Sequence, residues 1–73
     1  MQARETRVMT TEELEGRLEE SYRELFALRH EKASGRLEDM NRIKTVKRDI
    51  ARMRTILRER ELSAELIGGG ELQ

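Results

Sequence analysis

The sequence contains no cysteine, no proline and no tryptophan, and its aromatic residues are one tyrosine and one phenylalanine. Without cysteine there is no disulfide framework and no cysteine-based zinc site. With 73 residues and so few aromatic side chains, we do not expect a large self-sufficient core. No apolar run approaches the roughly 20 residues that span a bilayer, and Met1–Thr10 lacks a signal-peptide apolar region. We therefore expect a small, soluble, cytoplasmic chain that depends on a partner.

Groupings of residues that would support catalysis are also missing. There is one histidine, His30, and it falls among charged residues with no second histidine or cysteine to share a metal. The three consecutive glycines at 68–70 lack the lysine and hydroxyl residue of a phosphate-binding loop. We therefore expect no enzyme activity, no cofactor, no metal and no small-molecule substrate.

What the sequence does contain is helix-forming residues in an amphipathic pattern. Thr10–Glu13 reads as a capping box, and Val8 is a candidate apolar staple in front of it. A leucine stripe follows at steps of three and four, which predicts a helix over about 11–33 that stops near Gly35. A second apolar stripe predicts another helix over about 39–60, with Glu38 or Asp39 as its cap.

The link between these helices is about five residues, so they should pack as an antiparallel pair. We predict an all-α fold, a two-helix antiparallel hairpin over 10–61, with an irregular arm over 1–9 and a flexible tail over 62–73. The predicted hairpin core consists of the apolar residues of the two stripes: Leu14, Leu18, Leu25, Leu28, Ile43, Val46, Ile50, Met53 and Leu57.

The zero net charge conceals a segregation between the two predicted helices. Residues 11–31 hold three arginines against seven glutamates, whereas residues 32–60 hold ten lysines and arginines against four acids. At about 100° per residue, the second helix carries two basic rows beside its apolar stripe, with the short Ala51 and Thr55 between them. The rows are Lys44, Arg48 and Arg52, and Lys47, Arg54 and Arg58.

Two interpretations of this basic surface stay open. Arginine-rich surfaces with small residues let a phosphate backbone approach, which favours RNA binding. Alternatively, the basic residues are a solvated face that pairs with the glutamates of the first helix. Tyr22 and Phe26 have a similar ambiguity, since they either widen the apolar seam between the helices or form a contact patch for a neighbouring protein or base.

Several segments resemble the bacterial-type ribosomal protein twenty-nine family of the large subunit. They are TTEEL at Thr10–Leu14, LFALR at Leu25–Arg29, ASGxL at Ala33–Leu37 and KxVKRDIARxxTxL at Lys44–Leu57, where x marks a position outside the resemblance. The resemblance covers about Arg7–Glu61, most of the chain, in the same order and spacing. It departs from the family at position 6, where a threonine stands in place of the usual apolar residue.

The resemblance implies a structural constituent of the large ribosomal subunit, in the cytoplasm, that binds ribosomal RNA near the polypeptide exit tunnel. It implies a neighbouring ribosomal protein at the tunnel rim, where nascent-chain chaperones or targeting factors dock, and no membrane partner. The RNA contacts that it implies are Lys44, Lys47, Arg48, Arg52, Arg29 and Arg36.

Two other functions are weaker alternatives. A protein-only coiled-coil adaptor would dimerise through the leucine stripe, although each helix offers only about three heptads. A nucleoid-type DNA binder is more distant still. The oligomeric state of the isolated chain would separate the adaptor from a ribosomal protein.

Overall fold

Three helices follow one another along the chain: α1 (Ala3–Val8), α2 (Thr11–Ala33) and α3 (Asn41–Leu72). The computed structural model describes residues 3–72, with side chains described for residues 4–66. The molecule is a rod 57 Å long and 21 Å by 16 Å across. It is all-helical in the described part of the chain, and its two long helices pack against each other, which confirms the predicted fold class.

Helix α2 begins as its sequence predicts. The Thr10 hydroxyl oxygen accepts a hydrogen bond from the Glu13 N–H at 3.1 Å, and Thr10 has the extended backbone of an N-cap residue. The apolar staple is Met9, which packs against the cluster that contains Leu14. The staple expected at Val8 is wrong, because that side chain is 81% exposed.

Helix α2 ends in a Schellman motif at Gly35. The Arg36 N–H donates to the Glu31 carbonyl oxygen at 2.8 Å, and the Gly35 N–H donates to the Lys32 carbonyl oxygen at 3.1 Å. This hydrogen-bond pattern requires a left-handed residue, and Gly35 has a φ of +75°. The chain reverses at this point and runs back along α2.

The bounds of α3 differ from the predicted 39–60. Asp39 caps the helix, since its Oδ1 accepts from the Asn41 N–H at 2.9 Å, and α3 starts two residues later than expected. It then continues to Leu72 through the three glycines, where we expected it to end near residue 60. Propagating an existing helix is easier than starting one, so glycine's cost of about 1 kcal/mol per residue does not always end a helix. The flexibility of 62–73 stays a prediction, and Gln73 lies outside the described residues.

The core between α2 and α3 consists of two clusters. The cluster nearer the turn contains four buried residues, with Leu18, Leu37 and Ile43 packed against them: Leu25, Leu28, Val46 and Ile50. The cluster nearer the open end contains three, with Met9, Leu18 and Leu57 packed against them: Leu14, Met53 and Ile56. Early α2 therefore meets late α3, as an antiparallel pair requires. Six of the nine residues predicted for the core are buried in these clusters, and the other three, Leu18, Ile43 and Leu57, are partly buried and pack against them.

Helix α1 forms where the sequence suggested an irregular arm. It packs against α3, and the Thr6 side chain is fully buried there. The Arg60 guanidinium, from α3, donates to the carbonyl oxygens of Arg7 at 3.1 Å and Met9 at 2.8 Å, and to the Thr11 hydroxyl at 3.2 Å. One side chain thus ties the end of α1 and the start of α2 to α3. Met1 and Gln2, the rest of the predicted arm, lie outside the described residues.

Candidate nucleic-acid interface

The surface of α3 that faces away from the core is strongly basic. Between residues 44 and 54 it carries one acid, Asp49, and five basic residues that we call the basic face: Lys44, Lys47, Arg48, Arg52 and Arg54. All five are exposed except Arg52, which is half-buried. Because α3 is one continuous helix here, the predicted row of Lys44, Arg48 and Arg52 lies along a single side of the rod.

The acidic helix does not neutralise this surface. Among the described residues, the ion pair that joins α2 to α3 is Glu24 with Arg42, near the turn. The others lie within one helix, Glu19 with Arg23 and Arg58 with Glu61. No side chain of the basic face takes part in an ion pair within residues 4–66. The interpretation that these cations pair with α2 glutamates therefore does not fit the structure.

Small side chains lie in the middle of the basic face. Ala51 and Thr55 are exposed one turn apart, and the Thr55 hydroxyl donates to the Ala51 carbonyl oxygen at 2.8 Å. Both residues line two shallow depressions, one beside Arg54 and the other beside Arg48. A backbone phosphate can approach such a surface more closely than one covered by long side chains.

The remaining two predicted RNA contacts lie elsewhere. Arg29 is exposed on α2, next to the buried Leu28. Arg36 follows the Gly35 turn and lines a depression with four acidic side chains: Glu24, Glu31, Glu38 and Asp39. The structure therefore brings Lys44, Lys47, Arg48 and Arg52 together on α3, and it leaves Arg29 and Arg36 outside that group.

A further basic residue that we did not predict lies at this surface. Arg7 of α1 lines the same depression as Arg48 and Arg52. Sequence spacing gave no signal for it, because the neighbourhood depends on how α1 packs against a segment more than 40 residues away. The sequence shows only that Arg7 is a basic residue in an N-terminal segment for which no helix is predicted.

The two aromatic residues lie on the surface of α2. Phe26 is 77% exposed and Tyr22 is 44% exposed, and neither belongs to a core cluster. The interpretation that they widen the apolar seam is therefore wrong for Phe26. The leucine stripe itself is buried inside the hairpin, so it is not free to form the dimer that a coiled-coil adaptor needs.

No grouping of histidine, aspartate and glutamate in the described part of the chain is arranged to hold a metal ion. None of the described helices combines the length and the apolar character that crossing a bilayer demands. These features define a class: a helical-hairpin scaffold with one cationic surface.

Comparison with known proteins gives the particular family. The family model described as ribosomal L29 protein matches residues 4–60. The chain therefore belongs to the ribosomal L29 protein family, which confirms the resemblance in its sequence. Members of this family are structural, non-enzymatic components of the ribosome, so the chain is not an enzyme.

Individual relatives are similar over nearly their whole length. The chain is 54% identical over 63 residues to large ribosomal subunit protein uL29 of Natranaerobius thermophilus, covering 86% of this chain and 97% of that relative. It is 52% identical over 69 residues to the protein of the same name from Corynebacterium aurimucosum, with 94% and 91% covered. The Geobacillus stearothermophilus protein is 52% identical over 64 residues, with 88% and 97% covered.

Proposed function

We propose that this protein, a structural constituent of the large ribosomal subunit, binds ribosomal RNA through the basic face of α3 in cytoplasmic ribosomes. The observation that carries the proposal is that five cations lie along one side of a helix with no ion pair among the described residues. Such a surface attracts a polyanion. Membership of the ribosomal L29 protein family supports ribosomal RNA as that polyanion.

Both the residue types and the charge of the basic face suit RNA. An arginine guanidinium group can donate two parallel N–H···O hydrogen bonds to the oxygens of one phosphate, whereas a lysine ammonium group cannot. Each phosphate that a cation neutralises releases condensed counterions, and this release makes RNA affinity depend on salt. We expect Lys44, Lys47, Arg48 and Arg52 to contribute most, while Arg29 and Arg36 contact separate phosphates or none.

The exposed aromatic residues support a protein partner on the other helix. Phe26 and Tyr22 lie on α2, whose surface carries seven glutamates between residues 11 and 31 and therefore repels RNA. The two side chains are one helical turn apart on α2, and grouped exposed apolar side chains with a polar surround are typical of protein contacts. We propose that this patch contacts a neighbouring ribosomal protein near the exit tunnel, with nascent-chain chaperones or targeting factors as further partners at the rim.

RNA binding would also stabilise the fold. Two clusters, with seven buried apolar side chains among the described residues, are a small core for a rod of this length. A ligand that binds only the folded chain stabilises it by mass action. We therefore expect the hairpin to be more stable on the ribosome than alone.

Salt-dependent RNA binding tests the proposal. For the double variant Lys47→Ala with Arg48→Ala, we expect weaker binding to large-subunit ribosomal RNA and a shallower salt dependence. The slope of log K against log salt should fall by about 0.7–0.9 for each phosphate that the variant no longer neutralises. Filter binding or fluorescence anisotropy over a salt series measures both quantities.

The matched control removes the same two residue types from α2, as Arg23→Ala with Lys32→Ala. Both residues are exposed and lie outside the basic face. The control should keep most of the wild-type slope. An unchanged slope in the Lys47 and Arg48 variant would rule out the basic face as the RNA contact.

A further inference from the structure

Three arginines from two helices converge on one depression, which we call the α1–α3 cleft. Arg7 comes from α1, and Arg48 and Arg52 come from successive turns of α3. Ala51 and Thr55 also line the cleft, and both have short side chains. The cleft is thus open to a ligand from outside and is lined by three arginines.

The charge of the cleft is not balanced within the described residues. Glu59 is the acidic side chain among the residues that line it, against three arginines. None of the three arginine side chains forms an ion pair or a side-chain hydrogen bond within residues 4–66. Bringing like charges together costs electrostatic free energy unless an anion lies between them.

The position of Arg7 is fixed by its backbone. Its carbonyl oxygen accepts from the Arg60 guanidinium at 3.1 Å, and the neighbouring Thr6 side chain is fully buried. The Arg7 side chain is exposed and takes no part in either contact. The packing of α1 therefore holds the base of this side chain beside α3 while leaving its guanidinium available to a ligand.

We propose that the α1–α3 cleft binds a phosphodiester group of the RNA backbone, and that Arg7 contributes a contact from α1. This inference rests on the proposed function, because the cleft shares Arg48 and Arg52 with the basic face. An RNA strand that lies on that face can continue into the cleft, so that phosphates of one strand contact both. The RNA site then spans two helices, and docking of α1 becomes part of RNA recognition.

The test compares two arginines of the same short helix. Arg4 lies one helical turn before Arg7, is exposed and is not among the residues that line the cleft. In Arg7→Ala, the salt slope for large-subunit ribosomal RNA should fall by about 0.7–0.9, which corresponds to about five- to eightfold weaker binding at 0.1 M salt. Arg4→Ala should keep the wild-type slope. Equal decreases in the two variants would show a general charge effect and overturn the proposal.

A second variant guards against loss of α1 itself. Arg7→Lys keeps the positive charge but removes the guanidinium group that can bind a phosphate through two hydrogen bonds. The variant should therefore retain the salt slope while binding RNA more weakly. Far-UV circular dichroism should show equal helix content in all variants. If Arg7→Ala has a lower helix content and Arg7→Lys binds RNA like the wild type, Arg7 has a structural role and the proposal fails.

Two further measurements separate this proposal from the one before it. Lys44→Ala with Lys47→Ala removes basic-face residues that do not line the cleft. If that variant lowers the slope while Arg7→Ala does not, the basic face binds RNA and the cleft does not. Inorganic phosphate is the remaining probe: competition at millimolar phosphate with sodium chloride held constant would indicate a site for free anions and overturn the proposal.

Discussion

Helices α2 and α3 share one core but differ on their outer surfaces. On the inner side, both contribute apolar residues at steps of three and four to the same two clusters. On the outer side, α2 is acidic and carries exposed aromatic residues, whereas α3 is basic and the cations of its basic face lack ion-pair partners within the described residues. The comparison indicates that the fold depends on the inner stripes, and that the outer surfaces are free to serve different partners.

Truncating the shared core should have the largest effect on stability. Met53 is fully buried in the cluster nearer the open end. For Met53→Ala we expect a decrease of about 2–5 kcal/mol in the free energy of unfolding, because the transfer free energy and the cavity term add. Both helices should then unfold together in thermal circular dichroism. Phe26→Ala is the control, since that side chain is 77% exposed and should cost far less. Similar decreases in both variants would contradict the assignment of the core.

The turn that joins the two helices should be the next most sensitive position. Gly35 has a φ of +75°, and no atom within 4 Å would obstruct an added methyl group. Gly35→Ala should therefore destabilise the hairpin by about 1–2 kcal/mol through backbone strain alone. Urea unfolding measures the change. Gly35→Asn is the control, because asparagine tolerates the left-handed conformation better than alanine. A stable alanine variant would mean that the turn can adopt another conformation.

The smallest predicted effect has the opposite sign and lies on the acidic helix. Gly16 is exposed in α2, and an added Cβ would meet nothing within 4 Å. Gly16→Ala should stabilise the chain by about 0.4–1 kcal/mol, because alanine loses less backbone entropy on folding. Urea unfolding should show this gain while RNA affinity stays at the wild-type value. A change in affinity would show that the outer surface of α2 also contacts RNA.

Local signals in the sequence accounted for most of the hairpin. The Thr10 cap, the Gly35 turn and the two apolar stripes each depend on residues close in the chain. Helix α1 was missed because six residues are too few to form a stable helix alone, and it depends on packing against α3. Ile56 was missed for a related reason, since it lies off the predicted stripe yet is buried and lies beside Arg7 in the α1–α3 cleft.

The basic face was predictable in part. Its rows on α3 follow from helical periodicity, whereas the absence of ion pairs between the basic face and α2, among the described residues, depends on how the two helices are oriented. Arg7 could not be assigned, because its neighbours Arg48 and Arg52 are distant in sequence. The end of α3 was wrongly placed for the opposite reason: the glycines suggested a stop, and the helix continues to Leu72.

The Arg60 contacts put α1, the start of α2 and the Arg60 part of α3 at the same pole of the hairpin, with the Gly35 turn at the other. The two helices are therefore close together at that pole, and the turn lies roughly 34 Å away, given 1.5 Å per residue along the 23 residues of α2. Fluorophores at the start of α2 and near Arg60 are close in the closed hairpin and separate when it opens, so energy transfer between them would follow opening of the hairpin during subunit assembly. Affinity handles fused at either terminus would leave the turn unobstructed.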